Sequence, residues 1–94
     1  MVYHANLENH WDWPVGHFGY SAPDDTGLLY CYLRLPYKPD DPSMCILPIV
    51  KDRKIDKAWQ WDGNIEKPTF QPSILHHTTP PWHGFVTNGE LVTA

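Results

Sequence analysis

Apolar and polar residues alternate in several short stretches of the chain, and this period of two predicts β-strands. The predicted strands cover residues 28–35, 44–51, 58–61 and 73–77, followed by a hairpin with arms 83–87 and 90–93. Asn88-Gly89 separates these arms and favours a type I′ turn, because both residues tolerate a positive φ. We therefore predict a domain of about five or six short antiparallel strands.

The alternation also predicts which side of each strand is buried. In the strand 28–35 one face is wholly apolar, whereas the other carries two tyrosines and an arginine. Pro48 cannot donate a backbone hydrogen bond, which indicates an edge strand or a bulge there. The predicted core includes Leu29, Cys31, Leu33, Ile46, Ile49, Trp61, Ile74 and Phe85.

Residues 1–26 lack this periodicity. Aromatic residues are interleaved there with prolines and glycines, and the stretch 21–27, SAPDDTG, has the composition of a turn. We therefore divide the chain into an irregular aromatic N-terminal arm, residues 1–26, and a small β domain, residues 27–94. The predicted fold class is all-β, a single domain with an antiparallel sheet or a partly open barrel.

Composition and net charge indicate which classes of partner can be expected for this chain. The chain has 94 residues and a net charge of −4 without a basic stripe, so nucleic acid is not an expected partner. No apolar run is long enough to span a membrane, and the first residues do not resemble a secretory signal. Two cysteines do not make a disulfide framework, and we expect Cys31 and Cys45 to be reduced thiols of a cytosolic protein.

A metal site is one candidate for chemistry. Zinc is usually held by four nitrogen or sulfur ligands that arrive in pairs from tight turns. The chain has no C-x-x-C, and neighbouring strand residues such as His76 and His77 point to opposite faces. We therefore predict no cofactor; if a metal is bound, the candidate ligands are Cys45, His83, His76 and His77.

Nucleophilic catalysis is a second candidate. Cys31 or Cys45 with a histidine and Asp62 would supply the residue types of a triad. No nucleophile elbow is present, and no helix start follows either cysteine to lower its pKa. We therefore predict that the chain is not an enzyme.

A binding surface formed by aromatic residues is a third candidate for function. Trp59 and Trp61 lie on the same face of their predicted strand, either as a stacking platform or as part of the core. Trp11 and Trp13, on the irregular arm, suit a protein interface, where tryptophan is enriched. The alternative is that the arm folds back and covers the domain's own sheet.

Several motifs fall in order between residues 58 and 91, as W-x-W-[DN]-G-N, P-T-x-x-P-S-I and W-H-G. They comprise Trp59, Trp61, Asp62, Gly63, Asn64, Pro68, Thr69, Pro72, Ser73, Ile74, Trp82, His83 and Gly84. This part of the chain resembles a family of small proteins of unknown function from bacteriophages and prophages, often labelled ammonia monooxygenase. Relatives of that domain also occur in bacterial ubiquitin-like modification operons.

Many relatives look like zinc-knuckle proteins, so the resemblance implies a degenerate rubredoxin-like or Rieske-like scaffold. In those relatives a pair of cysteines precedes W-x-W, and another cysteine precedes W-H-G. Here residues 38–45 contain only Cys45, and Pro80-Pro81 stands before W-H-G. Cys45 and His83 are thus the most that survives of a four-ligand site, and we expect His83 to form a hydrogen bond beside Trp82.

The sequence favours a phage-encoded protein-interaction module without enzymatic activity, located in the host cytoplasm or the virion. It would be a virion accessory or decoration subunit, or a binder of a host or defence protein, with homo-oligomers formed by strand addition as a further expectation. The alternative is a small zinc- or iron-binding protein. The predicted contact residues are Trp11, Trp13, Phe18, Tyr20 and Tyr37.

Overall fold

The computed structural model describes residues 1–36, 44–77 and 81–94. These ranges form nine strands and one short 3₁₀ turn, His10–Asp12. The strands are β1 (Val2–Tyr3), β2 (His17–Tyr20), β3 (Leu29–Leu33), β4 (Cys45–Lys51), β5 (Trp59–Trp61), β6 (Phe70–Gln71), β7 (Ile74–His76), β8 (Trp82–Thr87) and β9 (Glu90–Thr93). The prediction of a small all-β domain is confirmed. In the described part of the chain, no helix has the length and apolar character needed to cross a membrane.

The strands form two sheets, one in the order β1-β2-β3-β4-β5-β6 and one in the order β7-β8-β9. Most neighbours are antiparallel, as predicted, but β1 pairs with β2 and β4 with β5 in parallel. Parallel neighbours need a connection that returns the chain to the same end of the sheet. Residues 4–16 and 52–58 provide these two connections, and neither could be recognised from the alternation of apolar residues.

One apolar core joins the two sheets. The predicted core residues Leu29, Cys31, Leu33, Ile49 and Ile74 are buried, and Trp61 is half-buried against them. Ile46 and Phe85 are exposed, so their assignment to the core is wrong. On β4 the inward positions are instead Cys45, Leu47 and Ile49, and on β8 they are Trp82, Gly84 and Val86.

Pro48 marks a local edge and no bulge, because β4 pairs there with β3 in a continuous register and with β5 only further along. It stands opposite Tyr30 of β3, whereas the ladder to β5 covers only residues 49–51. The proline therefore precedes the part of β4 that has partners on both sides. A missing backbone donor is tolerated at such a position.

The turn between β8 and β9 was predicted correctly. Asn88 has a φ of 49° and Gly89 a φ of 73°, the two positive values of a type I′ turn. The Asn88 amide donates to Thr69 Oγ1 at 2.9 Å, and the Gly89 amide donates to the Pro68 carbonyl at 2.9 Å. These bonds fix the hairpin against the chain segment that leads into the first sheet.

The N-terminal arm folds back onto the domain, which is the alternative stated above. Its residues supply β1 and β2, so residues 1–26 are not irregular throughout. Trp13 is buried and packs so close to Gly19 of β2 that a Cβ at that glycine would lie 3.0 Å from its ring. Phe18 is fully buried. Burial leaves Trp13 and Phe18 no surface for a partner, so their place among the contact residues is corrected to the core.

The other predicted contact residues differ in position. Trp11 is 59% exposed. Tyr20 is half-buried and its hydroxyl donates to the Ile65 carbonyl at 2.7 Å. Tyr37 lies outside the described residues. Trp11 therefore keeps the surface that a contact residue needs, and Tyr20 is largely engaged within the domain.

A histidine pair in the arm makes stability depend on pH. His4 Nε2 and His17 Nδ1 lie 2.8 Å apart, and the His4 ring stacks on Trp13 with 4.3 Å between ring centroids. Burial, and secondly the neighbouring His4, lower the pKa of His17 from its ordinary value of 6.5. His17 therefore binds a proton less readily in the folded state than in the unfolded chain.

Because the folded pKa is the lower one, the contribution of His17 is complete above the unfolded value of 6.5 and is lost as pH falls towards the folded pKa. We expect the free energy of unfolding by urea to decrease between about pH 7.5 and about pH 5.5. His17→Gln should have a smaller decrease over this interval. Equal pH dependence of the two proteins would show that His17 is not the source.

Candidate active site

A serine and a histidine meet at the surface of the second sheet. Ser73 Oγ and His83 Nε2 lie 3.1 Å apart, and His83 is exposed. This distance is within the range over which a histidine can act as general base for a hydroxyl. In the tautomer with its proton on Nδ1, His83 accepts the hydrogen bond from the Ser73 hydroxyl. We refer to Ser73 and His83 as the dyad.

Strand pairing brings the two residues together. His83 is on β8 and stands opposite Leu75 of β7, whereas Ser73 immediately precedes β7. Alternation along β7 puts Ser73 on the same face as Leu75, and therefore on the same face as His83. The Trp59 indole Nε1 donates to the Ser73 carbonyl at 3.2 Å. This bond holds the backbone of the serine against the first sheet.

The W-x-W-D-G-N and P-T segments build the support for this site. Asp62 Oδ1 accepts hydrogen bonds from the amides of Asn64 and Thr69, at 3.0 and 3.2 Å. Trp61 Nε1 donates to the Asn64 carbonyl at 3.0 Å. Gly63, with a φ of 85°, permits the reversal. These residues close the turn that directs the chain into β6 and then to Ser73.

The W-H-G segment places one side chain on each face. Trp82 is buried and its Nε1 donates to Thr93 Oγ1 at 3.2 Å, whereas His83 points outward. A Cβ at Gly84 would collide with the Trp82 ring and with the Val92 carbonyl. The glycine therefore leaves room for the indole beneath the strand, and His83 is held on the opposite surface by this packing.

A cleft with a volume of about 550 Å³ reaches Pro72, the residue before Ser73, and its lining includes neither residue of the dyad. Its lining combines apolar side chains with ammonium, carboxylate and amide groups, namely Lys54, Ile55, Asp56, Lys57, Ala58, Gln60, Gln71 and Pro72. The dyad itself lies beside this cleft's Pro72 end, on the surface of the second sheet.

The cysteines and the carboxylate of the predicted triad are not placed for catalysis. Cys31 and Cys45 are buried, and burial raises the pKa of the Cys45 thiol to about 12 and that of Cys31 further. Both are therefore protonated at neutral pH and poor nucleophiles. Asp62 accepts backbone hydrogen bonds within its own turn.

Cys45 and His83, two of the predicted metal ligands, lie in different parts of the fold. Cys45 points into the core from β4, whereas His83 lies on the outer face of the other sheet. His76 is half-buried and His77 is exposed. In residues 1–36, 44–77 and 81–94, no group of three histidines, cysteines or acidic residues could hold a metal ion. Most of the predicted first knuckle, residues 38–45, lies outside the described residues.

Ser73 was not among the residues predicted from the sequence to be functional, whereas His83 was. The only nucleophiles predicted from the sequence were the two cysteines. The available signal was the pairing of the strand 73–77 with the strand that begins at Trp82, since an antiparallel register puts both polar residues on one face. His83 does form a hydrogen bond, as expected, but its partner is the serine of the P-S-I motif.

Comparison with known proteins points to the same region. Residues 42–94 match the model of a family described as bacterial ubiquitination-like system serine protease (BubE). No curated protein and no solved structure matches the chain. The match covers Ser73 and His83, and it contradicts the prediction that the chain is not an enzyme.

Proposed function

The chain belongs to the BubE family of bacterial ubiquitination-like system serine proteases, and we propose on this basis that it is a serine protease with Ser73 as nucleophile and His83 as general base. The observation that carries the proposal is the distance of 3.1 Å between Ser73 Oγ and His83 Nε2. A serine hydroxyl becomes nucleophilic when an adjacent base accepts its proton. The family description independently requires a serine, and this serine lies inside the matched residues.

The chemistry of such a pair is acyl transfer. As Ser73 Oγ bonds to the scissile carbonyl carbon, His83 Nε2 takes the hydroxyl proton. The imidazolium then donates this proton to the leaving amine as the C–N bond breaks, which leaves an ester on Ser73. Water attacks the ester with His83 again as base, the acid product departs and the serine hydroxyl is restored. The hydrogen bond between Ser73 and His83 supplies the nucleophile and the base that these steps use.

The family description indicates the class of substrate. The family's proteases belong to bacterial ubiquitination-like systems, so we propose that the peptide or isopeptide bond cleaved belongs to a protein of such a system. The open position of the dyad supports a macromolecular substrate, since His83 is exposed. A buried pocket would instead favour a small molecule.

The phage-related expectations stay predictions. They are the phage or prophage origin, a host, defence or virion partner, self-association and a location in the host cytoplasm or the virion. An interaction with such a protein is compatible with a protease, whose substrate is itself a protein partner. Trp11, at 59% exposed, is the described contact residue with the most surface for it.

A fluorophosphonate tests the proposed nucleophile directly, because it phosphonylates a serine that an adjacent base activates. We expect the purified chain to gain one phosphonyl group, and tandem mass spectrometry should assign it to Ser73. His83→Gln should slow the labelling strongly. Ser21→Ala is the matched control, since it removes a hydroxyl elsewhere on the surface, and it should not alter the labelling. Labelling of another residue, or none, would contradict the proposal.

A further inference from the structure

The outer face of the second sheet surrounds the dyad with apolar side chains. Leu75 pairs with His83 across β7 and β8, and Phe85 pairs with Val92 across β8 and β9. Continuing the β7–β8 register by two positions puts Ser73 opposite Phe85. Ser73, Phe85 and Val92 thus form one row across the face, and Leu75 and His83 belong to the next row. We refer to Leu75, Phe85 and Val92 as the apolar face.

These side chains are open to solvent. Leu75 is 49% exposed, Phe85 43% and Val92 48%. The Phe85 ring centroid lies 6.4 Å from that of His83. Single exposed apolar residues are ordinary, but here three of them lie on one side of one small sheet together with a candidate catalytic pair. This grouping indicates a surface that binds something apolar.

The apolar face differs from the neighbouring positions of the sheet in the number of ionisable side chains. Among the positions of the two rows just described, His83 alone is ionisable. The next pair on the same face of β8 and β9 is Thr87 with Glu90, and both are exposed. A carboxylate on a bound chain would lose water over the apolar side chains and would be repelled by Glu90. The face therefore favours neutral apolar groups.

We propose that the apolar face binds an apolar segment of the protein substrate beside the scissile bond, with Phe85 as the main determinant of specificity. The inference rests on the proposed function and adds the substrate class. Ser73 Oγ must come within bonding distance of the scissile carbonyl, so the groups that flank this carbonyl lie over Phe85 and its neighbours. A substrate with apolar residues at this point buries area that a polar substrate does not.

Two esters with the same leaving group can be used to measure how strongly the apolar face favours an apolar substrate. The probes are p-nitrophenyl acetate and p-nitrophenyl hexanoate, which differ only in the length of the apolar acyl chain. We expect the intact chain to prefer the hexanoate in kcat/KM by about tenfold, as an apolar subsite gives for a few methylenes. Phe85→Ser should reduce the ratio several-fold towards one.

Variants on the same face and on the other sheet make the comparison specific. Val92→Ser, beside Phe85, should also lower the ratio and serves as a second variant if Phe85→Ser is unstable. Ile46→Ser removes an equally exposed apolar side chain from β4 and should not change the ratio. Circular dichroism and thermal unfolding establish that each variant is folded.

The outcomes separate the two proposals. Hydrolysis that depends on Ser73 but shows the same ratio in the intact chain and in Phe85→Ser contradicts this inference and leaves the proposed function intact. No hydrolysis that depends on Ser73 contradicts both. A dimer in sedimentation velocity that Phe85→Ser dissociates shows that a second copy occupies the face, which also contradicts the inference.

Discussion

Replacing Ser73 by alanine is expected to lower kcat for ester or peptide hydrolysis by about 10³- to 10⁴-fold, with little change in stability. The variant loses the hydroxyl oxygen that lies 3.1 Å from His83 Nε2, so no acyl-enzyme can form. Ser73 is half-buried and its side chain is small, so its loss leaves no cavity of consequence. The measurement is steady-state hydrolysis, with unfolding by urea as the check on folding.

His83→Gln should give a loss of about 10²- to 10⁴-fold, because the general base is removed while the nucleophile stays in place. The double variant should be little worse than either single variant, since the two residues act as one unit. Ser21→Ala, immediately after β2, and His10→Gln, in the 3₁₀ turn, are matched controls that change the same residue types away from the dyad. Independent, additive losses from Ser73→Ala and His83→Gln would argue against a shared catalytic step.

The positions of β3, β4, β5, β7, β8 and β9 could be predicted from the sequence, whereas β1, β2 and β6 were missed. The buried side of a strand was predictable only where polar residues alternate with apolar ones. The face of β3 was correct because Tyr30 and Tyr32 mark the outer side. The stretch CILPIVK of β4 is apolar at nearly every position, so nothing in it distinguishes Ile46 from Cys45 or Leu47. Contact with β3 and β5 decides which residues point inward, and this information is not local.

The error at Phe85 has a different cause. On β8 the inner positions are Trp82, Gly84 and Val86, and the glycine contributes no apolar side chain. The outer position Phe85 is therefore the most apolar residue in the middle of the strand. Hydrophobicity alone thus predicts that this residue is buried. The large Trp82 ring fills the space beneath Gly84, which the sequence does not reveal. This arrangement leaves an aromatic ring free on the surface beside the dyad.

The candidate site was less predictable than the fold, because its two residues are ten positions apart and are joined by pairing between strands. The motifs identified the right segments. They did not distinguish residues that close a turn, such as Asp62 and Asn64, from residues that face solvent, such as Ser73 and His83. Local spacing cannot make this distinction when the chemistry depends on the register between β7 and β8.

Phe18→Ala is the substitution expected to reduce stability most. The ring is fully buried and lies 5.8 Å from the Tyr3 ring and 5.7 Å from the Tyr20 ring, measured between centroids. Truncating a buried phenylalanine costs about 3–5 kcal/mol, because apolar area is lost and a cavity remains. A small domain has a total stability of about 5–15 kcal/mol, so this loss is a large part of it. Urea unfolding measures the change, and Phe18→Leu gives a smaller, measurable loss if the alanine variant does not fold.

Trp11→Ala is the contrasting variant, because Trp11 belongs to the same arm but is 59% exposed. Its removal should change the free energy of unfolding by no more than about 0.5 kcal/mol. The pair separates two roles that one aromatic segment can have, since a core residue loses stability on truncation and a contact residue loses binding. If Phe18→Ala were as stable as Trp11→Ala, β2 would not be anchored by Phe18, and the arm would be a detachable segment. The burial of Phe18 between β1 and β3 requires the opposite result, because β1 and the hydrogen-bonded His4 and His17 depend on β2 keeping its place in the sheet.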